Sequence, residues 1–348
     1  MKKNILSILL FSFLSMIIFS CKNPLLIEES GLYEVTFETN GGTQISKYRT
    51  NCIKISPVTQ KNNYVFSGWY DTSNFKNEPI CFPYDINEDT ILYAKWENLI
   101  TVTNSSLNNL DLSLIHEDCI IKFEGEITDS SIETLAEKIQ QTPVGISIDL
   151  SETKNLTTIS ARNNSTSFFE KCRNLQSIIL PNTVTIIEDF AFYNCSLMNI
   201  YIPNSVKTVG KYAFYSCDNL KTIELESVEN IGLYAFAKNN LESITLKNIH
   251  TIGSFAFGYS NNLSEIYIYA IEIQYYAFYE SQNLTLVTIG KNAKKLEEGV
   301  FNSCTNLSSV IFENPYNWDS DYSVYSVNLN SPENNAYELK NQYYTLYK

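Results

Sequence analysis

Between Phe169 and Phe312 the chain repeats a single arrangement of apolar and polar positions. A phenylalanine recurs at Phe169, Phe192, Phe214, Phe236, Phe257, Phe278 and Phe301. A Leu-x-x-Ile-x-Leu run follows each of them, from Leu175/Ile178/Leu180 through Leu241/Ile244/Leu246 to Leu307/Val310/Phe312. Each period is too short to close a core of its own, and a fixed period of this kind predicts a solenoid, in which every coil hides its apolar side against the next. A second apolar pair precedes the phenylalanine (Val184/Ile187, Val206/Val209, Val228/Ile231, Ile249/Ile252), and alanine stands directly before it at Ala191, Ala213, Ala235, Ala256 and Ala277. The small residue suits a tight turn, and the phenylalanine fills the interior. Asn174, Asn219, Asn240, Asn262, Asn283 and Asn306 sit just before the strand leucine. Asparagine tolerates left-handed backbone and can bond its own turn, so these are the expected corner residues.

The pattern changes on either side. From Tyr33 to Trp96, Val35 and Phe37 alternate with polar residues, Asn40-Gly41-Gly42 is a turn signal, and Tyr64-Val65-Phe66 and Ile91-Leu92-Tyr93 are further β-rich runs. This reads as a small all-β unit. Between Leu99 and Leu156, Cys119–Phe123 reads as a strand, and Ser130 and Glu133 have capping-box spacing. Ile132, Leu135, Ala136 and Ile139 then share one helix face, Pro143 ends the helix, and Ile146/Ile148/Leu150 alternate as a strand. A stack of coils needs its apolar end covered, so this segment is expected to be the N-terminal cap. Residues 314–348 lack the period and read as a partly ordered C-terminal cap.

The N-terminus adds an export signal to this picture. Lys2 and Lys3 precede an apolar run from Ile5 to Phe19, shorter than the ~20 residues of a membrane-spanning helix, and Cys21 follows. The formal charge of −13 makes an anionic polymer an unfavourable partner, so nucleic-acid binding is not expected. With 44% hydrophobic residues, the 348-residue chain can bury more than one core.

Three stretches resemble known families. Ile18-Phe19-Ser20-Cys21 resembles the cleavage box of bacterial lipoproteins, as found in spirochaetes, which implies that Cys21 becomes the lipid-bearing first residue. Val35-Thr36-Phe37, Asn40-Gly41-Gly42, Tyr64–Tyr70 and Thr90–Trp96 resemble the Listeria–Bacteroides (internalin B-type) repeat, which implies a β-grasp-like spacer or adhesive module. Ala-Phe-x-x-Cys-x-Asn-Leu-x-x-Ile-x-Leu-Pro, best matched at 192–204 and 214–225, resembles the Bacteroides-surface-protein-A type of leucine-rich repeat. That resemblance covers about 165–312 and implies surface display and protein binding without catalysis. The expected fold is therefore mainly β with short helices: a small β-grasp-like module followed by a leucine-rich-repeat solenoid with N- and C-terminal caps. The expected divisions are signal peptide 1–20, lipid tether 21–31, repeat module 32–97, N-terminal cap 98–160, solenoid 161–313 and C-terminal cap 314–348.

Candidate chemistry is sparse. Cys172, Cys195, Cys217 and Cys304 stand three residues after their phenylalanines, in a slot that elsewhere holds Asn239, Ser260 and Ser281. A slot shared with serine and asparagine reads as a small polar interior position with free thiols, and thiols in a line cannot make a tetrahedral metal site. A Cys52–Cys81 bridge within the β unit is an alternative within that unit. His116 and His250 are isolated, and neither a nucleophile motif nor a phosphate-cradling loop occurs, so no catalytic residue, metal or cofactor is assigned. Residues between the buried strand positions should face outward on one surface. Tyr201, Tyr267, Tyr269, Glu224 and Lys247 on that strip are the candidate protein contacts, because tyrosine offers area and a hydroxyl at low entropic cost. The function expected is that of a lipid-anchored surface adhesin, probed against host extracellular-matrix or cell-surface proteins or another bacterial surface protein. The expected location is the cell envelope, at the exposed face of the outer membrane. A periplasmic structural lipoprotein is the first alternative, and a carbohydrate-binding module using Trp69 and Trp96 is the second; for both indoles a core position is the plainer reading.

Overall fold

All seven recurrent phenylalanines point inward, and none has exposed surface. In the computed structural model, which describes residues 32–159, 161–163, 166–315, 318–320, 331–341 and 345–347, they form one column. Successive ring centroids are 5.6, 5.2, 5.1, 5.4, 5.3 and 5.5 Å apart, with planes tilted by at most 20°. The Leu-x-x-Ile-x-Leu runs form parallel strands in matched register, Ile178 against Ile200, Ile223 against Ile244, and Ile266 against Val287 and then Val310. The apolar pairs before the phenylalanines build a second parallel ladder, running Ile159, Ile187, Val209, Ile231, Ile252, Ile273 and Leu296. In two coils the ladders fuse into long strands, Ser243–Ile252 and Glu265–Ile273, with a register shift between Leu246 and Ile249 where Asn248 turns left-handed. The first ladder divides into two sheets, one ending at Asn199–Tyr201 and the other starting at Thr222–Glu224.

The corners are built otherwise than the asparagines suggest. None of the asparagines before the strand leucines has positive φ. Asn219, Asn240 and Asn262 instead donate through Nδ2 to carbonyls of the preceding coil, at Ser196 (3.3 Å), Asp218 (2.7 Å) and Asn240 (3.4 Å). The left-handed residues flank the phenylalanine, two before it (Phe190, Tyr212, Tyr234, Phe255, Tyr276) and two after it (Lys171, Asn194, Ser216, Lys238, Tyr259, Glu280, Ser303). Gly299 takes the earlier place in the last coil.

The polar slot has a definite task. Cys195, Cys217, Ser281 and Cys304 donate to the carbonyl of the preceding coil's phenylalanine, at Phe169, Phe192, Phe257 and Phe278. Serine and cysteine both make this bond, whereas Ser260, in the same slot, is buried with its hydroxyl unbonded. Asn239 is too long for this geometry and accepts the Cys217 amide at 2.7 Å instead. Burial pushes the thiols of Cys172, Cys217 and Cys304 up to about 12, and that of Cys195 well above its ordinary value. Because the folded values are raised, this contribution to stability is complete below about pH 9 and is lost as the pH climbs toward 12. The denaturation midpoint is therefore expected to fall on titration above about pH 9. Dithionitrobenzoate at neutral pH should modify exposed Cys81 at once and these four only on unfolding. Cys52 and Cys81 are both present as thiols, so the bridge considered for them does not form.

The described residues fall into two compact units, divided after Trp96. In the second unit, the solenoid's first strand, Leu175–Ile179, continues into Ile146–Asp149, Cys119–Phe123 and residues 98–102, all parallel. The helix runs Asp129–Gln141 and buries Ile132, Leu135, Ala136 and Ile139, as the spacing predicts. Its N-cap is Thr128 rather than Ser130, with Thr128 Oγ1 accepting the Ser131 amide at 3.2 Å. At the other end a helix, Pro332–Lys340, packs on the last strand, Ser309–Phe312, and buried Asn335 donates to the Val310 carbonyl at 2.9 Å. Leu346–Tyr347 closes the second ladder antiparallel to Lys295–Leu296.

In the first unit, Tyr33–Glu38 lies between an antiparallel partner, Tyr48–Thr50, and a parallel one at residues 90–93. Asn40 and Gly41 both have positive φ (47° and 87°), the conformation that an Asn-Gly turn supplies at low cost. Val35, Phe37, Ile53, Trp69, Ile86, Leu92 and Ala94 form its core.

Candidate protein-interaction surface

Alternation along each solenoid strand decides what faces out. Leu175, Ile178 and Leu180, and their equivalents in later coils, are buried except Ile200 and Ile202, which are half-buried, so the residues between them stand on the opposite face. Register brings Glu224, Thr245, Tyr267, Thr288 and Ile311 into one row. Tyr201 lies opposite Ile179 on the coil before Glu224, and its strand lies beside Thr222–Glu224. Tyr201 is 45% exposed and Tyr267 53% exposed, separated along the stack by Glu224 and Thr245, both exposed. At about 4.8 Å per coil this places the two phenols about 15 Å apart. Lys247 is exposed at the start of the register shift.

Tyr269 is placed differently. Its hydroxyl donates to Glu313 Oε1 at 2.9 Å, two coils on, and the ring lies where a Cβ on Gly290 would come within 2.5 Å of Cδ1. The bond to the Glu313 carboxylate raises the phenol's pKa. Tyr269 is thus a half-buried brace along the stack rather than a free contact.

The structure adds an aromatic column that the repeat reading passes over. Phe190, Tyr212, Tyr234, Phe255 and Tyr276 stack with centroids 5.2, 5.0, 4.7 and 5.1 Å apart, all half-buried. Tyr193 and Tyr215 stack beside it at 5.2 Å. Beyond Tyr215 the Lys238 ammonium lies 5.7 Å from its ring centroid and 5.6 Å from that of Tyr259. Ring faces in the column are spent on one another, so edges and hydroxyls are what solvent meets. The signal in the sequence was an aromatic residue two places before five of the seven phenylalanines, Phe192, Phe214, Phe236, Phe257 and Phe278.

The first unit's tryptophans are interior. Trp69 has no exposed surface, meets Phe37 and Phe66 edge-on, and donates through Nε1 to the Pro57 carbonyl at 3.0 Å. Trp96 is half-buried against Phe66, and its Nε1 donates to the Thr39 carbonyl at 2.8 Å. Trp69 therefore offers no face to a sugar, and the carbohydrate platform proposed from both indoles does not form. His116 is exposed, and His250 Nδ1 lies 3.6 Å from Glu229 Oε2 on the surface. Among the described residues no group of His, Cys, Asp and Glu has metal-binding geometry. None of their helices is long and apolar enough to cross a membrane. Cys21 and the export signal lie outside the described residues.

Parallel strands at a 21- to 23-residue period, with a phenylalanine column and leucine-lined coils, define a leucine-rich-repeat solenoid. Residues 162–271 and 229–344, more than half of the chain, match the BspA type leucine-rich repeat region, and residues 33–95 match the Listeria-Bacteroides repeat domain. The chain belongs to the BspA type leucine-rich-repeat family, a family of surface and interaction modules rather than enzymes. Over 95 residues it is 33% identical to a Gly-rich membrane protein of Evansella cellulosilytica, covering 26% of this chain and 11% of the relative. Over 73 residues it is 36% identical to a second membrane protein of that organism, covering 20% of this chain and 11% of the relative. The chain thus spans only about a tenth of the length of these curated relatives. Among solved structures, a leucine-rich repeat protein from Bacteroides ovatus is 20% identical with a TM-score of 0.41, over 76% of this chain and 70% of that one. The T. pallidum leucine-rich repeat protein is 21% identical with a TM-score of 0.36, over 54% and 77% respectively.

Proposed function

We propose that this protein is a lipid-anchored adhesin of the cell envelope, displayed at the outer surface, that binds protein through the strand face of its solenoid. The observation that carries the reading is the outward row. Tyr201, Glu224, Thr245 and Tyr267 stand exposed over a ladder whose alternate residues are buried or, beside Tyr201, half-buried, while the two ends of the stack are covered. A strand face of this kind presents aromatic area and charge on a rigid backing, so little ordering entropy opposes binding. Partners of this chemistry are host extracellular-matrix or cell-surface proteins, or another bacterial surface protein. Lys247 and Glu224 supply the polar margin, and Tyr269, on the same side of its strand as Tyr267, braces the face through Glu313. Attachment is through lipidated Cys21 after removal of residues 1–20, with 21–31 as the tether.

The test is binding of the full mature chain to a panel of immobilised matrix proteins, compared with Tyr201→Ala/Tyr267→Ala. The double variant is expected to weaken binding about tenfold or more, in the range of an interface aromatic, with an unchanged melt. Equal binding by both forms would dismiss the strand face. Protease treatment of intact cells decides the compartment: digestion supports surface display, and protection supports a periplasmic structural role instead.

A further inference from the structure

Residues 54–58 of the first unit present an apolar, basic surface that the strand-face function does not use. Ile55 is 81% exposed and Val58 79%, more than any other large apolar side chain described. The segment is clamped on both flanks. Ile53 pairs with Tyr84, the Pro57 carbonyl accepts Trp69 Nε1 at 3.0 Å, and Thr59 Oγ1 donates to the Thr43 carbonyl at 2.8 Å. Two aliphatic side chains held out in water by a fixed backbone forgo a hydrophobic gain that a covering surface would restore.

Charge identifies the covering surface. From Thr39 to Tyr70 the chain carries Lys47, Arg49, Lys54 and Lys61 and no acidic residue, within a protein of net charge −13. The acidic groups beside this stretch are Glu34, 3.0 Å from Lys47, Asp85, opposite Cys52, and Asp71 and Glu88, which add to burial in raising the pKa of Tyr84, the partner of Ile53. Arg49 also marks where the chain enters the unit, because its Nη2 donates to the Leu32 carbonyl at 2.7 Å. Eleven residues, 21–31, separate Leu32 from Cys21 and can span at most about 40 Å. Resting on the anchored reading above, this keeps the segment within reach of a bilayer. We infer that Ile55 and Val58 insert into an anionic phospholipid surface, with Lys54 and Lys61 against the headgroups, as a second and weaker attachment beside the acyl group.

The experiment uses the chain from residue 21 with Cys21→Ser, so that no acyl group contributes, and measures co-sedimentation with phosphatidylcholine/phosphatidylglycerol vesicles and with phosphatidylcholine alone. Binding to the mixed vesicles is expected. It should fall about tenfold or more in Ile55→Ser/Val58→Ser, and it should weaken with added salt and in Lys54→Gln/Lys61→Gln. Ile55 and Val58 are on the surface, so the melt of the serine variant should match the parent. Failure to bind the mixed vesicles, or equal binding by the serine variant, overturns the inference. So does self-association in sedimentation velocity that the serine variant abolishes, since a second copy would then cover the surface. Palmitate incorporation into the full-length chain, compared with Cys21→Ser, reports on the anchor separately. Its absence would refute the lipoprotein reading while leaving the vesicle result intact.

Discussion

Replacing Phe236 by alanine is expected to destabilise the solenoid by about 3–5 kcal/mol, the usual range for removal of a buried phenylalanine. The ring has no exposed surface and lies between Phe214 at 5.1 Å and Phe257 at 5.4 Å, nearly parallel to both. Its loss therefore opens a cavity shared by two neighbouring coils. Each coil packs only on its neighbours, so damage at the middle of the column should also reduce the cooperativity of unfolding. Urea denaturation followed by circular dichroism should show a lower midpoint and a shallower transition. Tyr267→Ala, on the exposed face, is the control and should stay within about 0.5 kcal/mol of the parent. Superimposable curves for Phe236→Ala and the parent would contradict the interior column.

The second large effect is expected at Trp69→Ala, also about 3–5 kcal/mol but confined to the first unit. Trp69 anchors that unit's small core against Phe37 and Phe66, and its indole nitrogen holds the Pro57 carbonyl. Alanine removes the packing and leaves that carbonyl without its donor. In a chain with two compact units, the solenoid's transition serves as the internal reference. Loss of the first unit's near-ultraviolet dichroism with the solenoid transition preserved is the expected result. A variant whose near-ultraviolet signal persists would mean that the indole is not central to the core.

Much of the solenoid was legible because burial is periodic. Leucine, isoleucine and phenylalanine at fixed intervals are costly to expose, so the pattern names the interior directly. The helix of the N-terminal cap was legible for the same reason, through Ile132, Leu135, Ala136 and Ile139, whereas its start was not. Ser130-x-x-Glu133 looks like a cap, but Thr128 comes earlier and already satisfies the Ser131 amide. The corners misled because intrinsic preference points to asparagine in left-handed backbone, while Phe190, Tyr212 and Tyr234 adopt it here. Their stacking on the rings of neighbouring coils offsets a conformational cost that no single repeat reveals. The role of Tyr269 was hidden similarly, because Glu313 lies 44 residues away and meets it only once the coils are stacked. The C-terminal helix has few apolar residues, and Ala336 and Leu339 make too short a stripe to predict it.

Four side-chain hydrogen bonds of the polar slot run one way, from Cys195, Cys217, Ser281 and Cys304 back to the phenylalanine carbonyl of the preceding coil. Each of these phenylalanine carbonyls therefore takes its side-chain donor from the coil that follows it. A chain shortened by one repeat from its carboxy-terminal side would leave such a carbonyl at the new end without its side-chain donor. At that end the carboxy-terminal helix covers the last strand instead, with Asn335 donating to the Val310 carbonyl.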